Sequence, residues 1–335
     1  MNCVKFYENE HLRRNMILYN CPDLHTKSSG INRIYRHVDY LVRNGFRAAV
    51  LHSNSSFVRK DHEKTPRKYL DMDGDLKEGD VVVMPEMQIE IMKQMSLVTV
   101  RRMVFCLNWA YAFKALPLNE TYRTYGIERM IVSCSFIGDM VGWAMGLPAH
   151  LVANSIDSNI YFPEFELPQK KKKIVFIERK GALIPMLMRV LQARNPRFIS
   201  EIEWFALDGL DEQEYARHIR EASVFVNAST EEGILNASFQ AMRCNTLLAG
   251  FDSIGGQGTI CADGDEQNYI VAQNGDYLSL AWLMEPLLED LLASNLDKWE
   301  RQKNNAFNLI SEMTVEKEEE SVISLWKRLA PDCMI

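Results

Sequence analysis

Apolar residues in this chain gather in short runs of four or five, separated by stretches where they recur at helical spacing. The first run, Met16-Ile17-Leu18-Tyr19, predicts a strand, and a polar loop over 23–30 follows it. Ile31, Ile34, Tyr35, Val38 and Leu41 then return every three or four residues, which places them on one face of an α-helix. Asn44-Gly45 ends that helix. Further strands are predicted at 48–51, 81–84, 103–107, 130–133 and 151–152. Their residues are continuously apolar rather than alternating, so both faces are covered. A parallel sheet with helical crossovers is the arrangement that does this.

Between 159 and 173 the pattern lapses into Pro, Glu and Lys without apolar periodicity, which marks a boundary. The alternation restarts with strand 174–177, helix 183–193, strand 202–206, helix 211–221 and strand 224–227. A helix is predicted after Glu232, then strand 246–249 and a glycine-rich loop, Gly255-Gly256-Gln257-Gly258. Helices over 277–292 and 296–310 follow. Two Rossmann-like α/β domains, over 1–160 and 161–310, are expected, each a doubly wound parallel sheet, facing one another across a cleft. The segment 311–335 holds an amphipathic helix whose Val322, Ile323, Leu325 and Trp326 need a surface, predicted to be that of the first domain. At 335 residues the chain exceeds the usual size of one core, in keeping with two. Ligands of such sheets bind at the carboxyl ends of the strands.

Composition narrows the function. Hydrophobic content of 47% and charged content of 25% are those of ordinary globular proteins. A net charge of −7 lacks the cationic excess that displaces counterions from nucleic acid, so no nucleic-acid partner is expected. Cys3, Cys21, Cys106, Cys134, Cys244, Cys261 and Cys333 are odd in number and form no C-x-x-C pair. That usage fits buried thiols in a reducing cytoplasm rather than disulfides or zinc ligands. The first eight residues carry no signal-peptide core, and no apolar run reaches the roughly 18–20 residues that span a bilayer. A soluble, cytoplasmic protein without a transmembrane segment is the expectation. Asp71, Asp73 and Asp75 mimic the start of a calcium loop, but its sixth and twelfth positions are Leu76 and Val82 instead of Gly and Glu. The segment also precedes a strand, so it reads as a solvated acidic loop, and no metal or other cofactor is expected. No G-x-S-x-G nucleophile motif occurs.

The chemistry concentrates after strand 224–227, in Ala228-Ser229-Thr230-Glu231-Glu232-Gly233. A strand-to-helix turn gathers free backbone N–H groups and the positive end of a helix dipole, where phosphates bind. The amides of Gly233, Ile234, Leu235 and Asn236 are the expected donors. Glu232 repels phosphate, so its expected task is to accept hydrogen bonds from neutral hydroxyls such as those of a sugar. Arg179-Lys180-Gly181 follow strand 174–177 and suit a diphosphate, whose charge adjacent cations neutralise while donating hydrogen bonds. The run from Lys170 to Lys173 reads instead as solvated linker.

These residues resemble the retaining, family 4 type of GT-B glycosyltransferase. There a strand ends in Ser-x-x-Glu-Gly-Phe-Gly-Leu-Pro, and a second Glu lies eight residues after the first. Asn154-Ser155-Ile156-Asp157 with Phe162-Pro163 is similar to the family's Asn-Gly-Ile-Asp…Phe-x-Pro crossover. The resemblance implies a nucleotide-sugar donor in the second domain and a glycan or glycoconjugate acceptor against the first. It implies retention of configuration and no metal. Glu232, Arg179 and Lys180 take the catalytic positions, with Ser229 beside them. Gln240 stands where a Glu grips the donor ribose, and Asp208 lies on the loop along the base. Gly255 and Gly256 match a flexible glycine loop, and read equally as an ordinary turn. Ser29-Gly30 matches a glycine-bearing loop between donor and acceptor, and reads equally as a helix cap with a turn glycine. Asn108 matches a polar residue after its strand, with a loop-capping Asn as the other reading. Two departures stand out: Gln240, and Ile234-Leu235-Asn236-Ala237 in place of Phe-Gly-Leu-Pro. They leave open a second reading, a non-catalytic binding or assembly module on the same fold.

Overall fold

The computed structural model describes residues 15–25, 28–59, 62–72, 76–164, 170–181, 183–253, 255 and 264–335. Seven strands form the first sheet: β1 (Ile17–Asn20), β2 (Ala48–His52), β3 (Arg67–Tyr69), β4 (Val81–Pro85), β5 (Arg101–Cys106), β6 (Arg129–Val132) and β7 (Ala149–Leu151). Their order is β3-β2-β1-β4-β5-β6-β7, and every pairing is parallel. Helices α1 (Ser29–Arg43), α2 (Ile89–Ser96), α3 (Trp109–Ala115) and α4 (Ser135–Met145) belong to this half. The second sheet, in order β12-β11-β10-β8-β9, is also parallel throughout. It comprises β8 (Lys171–Phe176), β9 (Glu203–Ala206), β10 (Ala222–Asn227), β11 (Leu247–Phe251) and β12 (Ile270–Ala272). Around it run α5 (Ile184–Arg194), α6 (Arg197–Ser200), α7 (Glu212–Glu221), α8 (Asn236–Arg243), α9 (Tyr277–Leu292) and α10 (Glu300–Leu309), before α11 (Val315–Leu329) closes the chain.

Each sheet separates two apolar clusters, as strands buried on both faces require. α11 joins the first half: Val322, Leu325 and Trp326 lie in one cluster with Ile34 and Val38 of α1. The indole of Trp326 donates to the hydroxyl of Tyr19 at 3.1 Å. Glu318, fully buried on the same helix, pairs with Arg33 at 2.7 Å and Arg36 at 3.0 Å. It also accepts from Ser155 Oγ at 2.6 Å, which ties the crossover segment to α11.

One expectation fails here and one strand was not foreseen. Lys171, Lys172 and Lys173 open β8 instead of lying in a linker. Lys173 is buried, with Nζ 2.7 Å from His218 Nδ1 and 3.2 Å from Glu203. Lys170 donates to the carbonyl of Cys244 and to Thr246 Oγ1, and burial pushes its ammonium down to about 7. Each amine has found polar partners distant in sequence, so the charge run is part of the sheet. The unforeseen strand is β3, which no apolar run announces because its three residues are only half-buried.

Candidate functional site

In both sheets the strand order reverses, and crevices open there at the carboxyl ends. In the second sheet the reversal lies between β8 and β10. Lys180 follows β8 and Glu232 follows β10, and their side chains meet at 2.5 Å. Ser229 Oγ donates to the same carboxylate oxygen at 3.3 Å. Beside them Arg179 pairs with Asp208 at 3.2 Å, and the other Asp208 oxygen accepts from the Glu178 amide at 2.7 Å. Asp208 thus fixes the turn that carries both cations. Arg179 is 67% exposed and Lys180 27%, so Arg179 is the one free to swing onto an incoming anion.

The backbone of Glu232 is clamped by residues that the motif did not single out. Ser253 Oγ accepts from the Glu232 amide at 2.8 Å and donates back to its carbonyl at 3.2 Å. Ser253 is buried at a φ of 53°, a left-handed conformation that costs a non-glycine residue energy. Asn274 accepts from its amide and fixes that conformation. The Gly255 amide adds a bond to the Glu232 carbonyl at 3.0 Å. A β-carbon on Gly255 would stand 2.2 Å from the Gly233 carbonyl oxygen, so only glycine fits this approach. Gly256 lies outside the described residues.

α8 begins at Asn236, later than the expected helix start after Glu232. The amide of Asn236 is spent on the carbonyl of Ile234 at 2.9 Å. Ala237 and Ser238 therefore form the first open turn, and both line a recess of only about 10 Å³ with Lys180, Glu232 and Asn227. Gln240 sits buried in the second turn. Leu235 packs in the apolar cluster under α8, and Ile234 lies against it.

Across the cleft, Ser29 and Gly30 form the first turn of α1, capped by Ser28, which accepts from the Ile31 amide at 3.2 Å. Asn108 caps α3, accepting from Ala110 at 2.8 Å and Tyr111 at 3.3 Å. Its own amide donates to Glu86, whose carboxyl burial pushes up to about 7. A β-carbon on Gly30 would lie 3.5 Å from Leu107 Cδ1, and one on Gly233 would lie 3.5 Å from the Leu107 carbonyl. The α1 terminus, the β5–α3 turn and the Glu232 loop therefore converge. The halves also touch directly. Cys134 Sγ donates to the Gly233 carbonyl at 2.9 Å, Asn154 Nδ2 to Asn236 Oδ1 at 3.2 Å, and Lys114 pairs with Glu231.

Among the described residues no group of three His, Cys, Asp or Glu is placed to hold a metal ion. Asp71 accepts from Ser55, while Asp73 and Asp75 lie outside the described residues. No described helix is long and apolar enough to cross a membrane. Cys21, Cys106, Cys244 and Cys333 are buried free thiols, and Cys134 is half-buried.

No protein-family profile matches this sequence, and no curated protein sequence does. Solved structures do. Sucrose-phosphate synthase from Thermosynechococcus elongatus aligns with a TM-score of 0.68 at 11% identity, over 94% of this chain and 99% of that one. A glycosyltransferase from Rickettsia africae ESF-5 gives 0.67 at 11% identity, over 94% and 98%. Anabaena HepE in complex with UDP gives 0.64 at 10% identity, over 94% and 100%. The fold is GT-B: two Rossmann-like domains, each a doubly wound parallel sheet, facing a cleft.

Proposed function

We propose that this protein transfers a sugar from a nucleoside-diphosphate donor to a hydroxyl of a glycan or glycoconjugate, with retention and without a metal. The observation that carries this reading is the Lys180–Glu232 pair at the switch point of the second sheet, flanked by Arg179–Asp208. Phosphate oxygens would take Lys180 and Arg179 from their present carboxylates and meet the amides of Ala237 and Ser238. Glu232, freed of Lys180, would accept hydrogen bonds from the sugar hydroxyls. As the bond from the anomeric carbon to the diphosphate breaks, negative charge grows on the leaving phosphate. Cations and amides already aimed there stabilise that charge more than the ground state. The contacts between the two halves exclude water from the donor. That Anabaena HepE was solved with UDP supports a uridine nucleotide as the first donor to try.

Calorimetry with UDP, GDP and ADP tests the binding half. One of the three should bind, and Lys180→Ala should weaken it about 10- to 100-fold, the worth of a charge-assisted phosphate contact. If none binds, or the Arg179→Ala/Lys180→Ala double variant keeps wild-type affinity, the reading is wrong. A second reading, a binding module without turnover, is favoured by the amide of Gln240 in the place of a carboxylate and by the small recess. It prevails if nucleotide-sugars bind without transfer or slow hydrolysis and Glu232→Ala changes nothing.

A further inference from the structure

A second cavity, of about 500 Å³, lies at the far end of the first sheet, under the amino ends of its strands. That volume is within the range of small-molecule sites. Its walls come from the starts of β4, β5 and β6 (Val81, Arg101, Arg102, Arg129), from His150 on β7 and from Arg328 at the end of α11. Four guanidiniums line one cavity of a chain whose net charge is −7.

The charges are unequally compensated. Arg101 is paired with Asp332 at 3.0 Å and donates to the Gly79 carbonyl. Arg102 spends its hydrogen bonds on the carbonyls of Met95, Val98 and Gly126, which leaves its charge uncancelled. Arg129 and Arg328 are exposed and make no ion pair or hydrogen bond with side chains of the described residues. Glu128 is the one carboxylate among the lining residues. The Nε2 atom of His150 is buried and has no hydrogen-bond partner. Burial, Arg328 and Arg129 together hold the imidazole below its ordinary pKa. Two exposed guanidinium forks with no carboxylate partner offer more donors than the single lining carboxylate accepts.

We propose that this cavity binds a phosphate-bearing anion, a free phosphorylated solute or a lipid headgroup, between Arg129 and Arg328, with His150 in the wall beside them. The site takes no part in the proposed sugar transfer, which belongs to the carboxyl ends of the other sheet. An anion seated there offsets the repulsion from Arg129 and Arg328, so the occupied site favours protonated His150 and affinity rises as pH falls.

The test follows the ring resonances of His150, assigned with His150→Gln, while the wild-type chain is titrated with inorganic pyrophosphate. In parallel, phosphatidylglycerol vesicles are tested for co-sedimentation against phosphatidylcholine vesicles. A free-solute site shows an upward shift of the His150 titration with pyrophosphate. The shift persists in Lys180→Ala, and binding is at least about tenfold weaker in Arg129→Ala/Arg328→Ala. A headgroup site shows sedimentation with phosphatidylglycerol alone, lost in the same double variant. The proposal is overturned if neither probe binds, or if both bind equally well without the two arginines.

Discussion

Gly255 and Glu232 are adjacent in space because one glycine lacks a β-carbon. Gly255→Ala must displace one of two loops, and the expected cost is about 1–3 kcal/mol in urea unfolding, the range for forced overpacking. Glu232 itself was legible, because an apolar strand running into an acidic residue and glycine is a local pattern. Ser253 was not, since its role rests on a left-handed turn and a contact 21 residues away. His37 illustrates a different kind of hidden residue. It is wholly buried against Glu318, Arg33 and Arg36, and burial lowers its pKa to about 4. The unfolded chain, with an ordinary imidazole, binds the extra proton first as pH falls. Stability should therefore drop between pH 6.5 and 4 by about 3 kcal/mol, and His37→Gln should flatten that slope in urea titrations at several pH values.

Among the elements, α11 carries the clearest prediction. Glu318 there pairs with Arg33 and Arg36, whose charges hold its carboxyl well below the usual range despite burial. Glu318→Ala leaves those cations facing one another and should cost about 3–5 kcal/mol in denaturant unfolding. A smaller loss in a double variant with Arg33→Leu would locate the cost in the stranded charge. Amphipathic spacing announced this helix, and its apolar face does pack on α1. Spacing could not announce the ion cluster, whose partners lie far apart in sequence. The same reason hid the start of β8, whose first residues are lysines with partners on α7, α9 and β9 rather than apolar residues. α8 failed differently: Ile234 and Leu235 look like the opening of a helix, but they turn into the cluster beneath it, and the helix starts only afterwards.

At the scale of the whole molecule, doubled β/α alternation was enough to foretell two parallel sheets, because continuous apolar strands admit few other arrangements. How the halves meet was beyond such reasoning, since each contact joins residues that no periodicity relates. One of these contacts places the half-buried thiol of Cys134 against the Gly233 carbonyl, while Cys21, Cys106, Cys244 and Cys333 are sealed in the cores. That thiol is a built-in reporter of traffic through the cleft. Parting the halves breaks that contact and opens the thiol to a bulky maleimide, so its labelling rate, followed by mass spectrometry on the Cys134 peptide, rises with how often they do. A nucleotide held between the halves should slow that rate several-fold, in proportion to the free energy with which it favours the closed form. Labelling at the speed of an exposed thiol, unchanged by any nucleotide, would mean that the seam does not persist in solution.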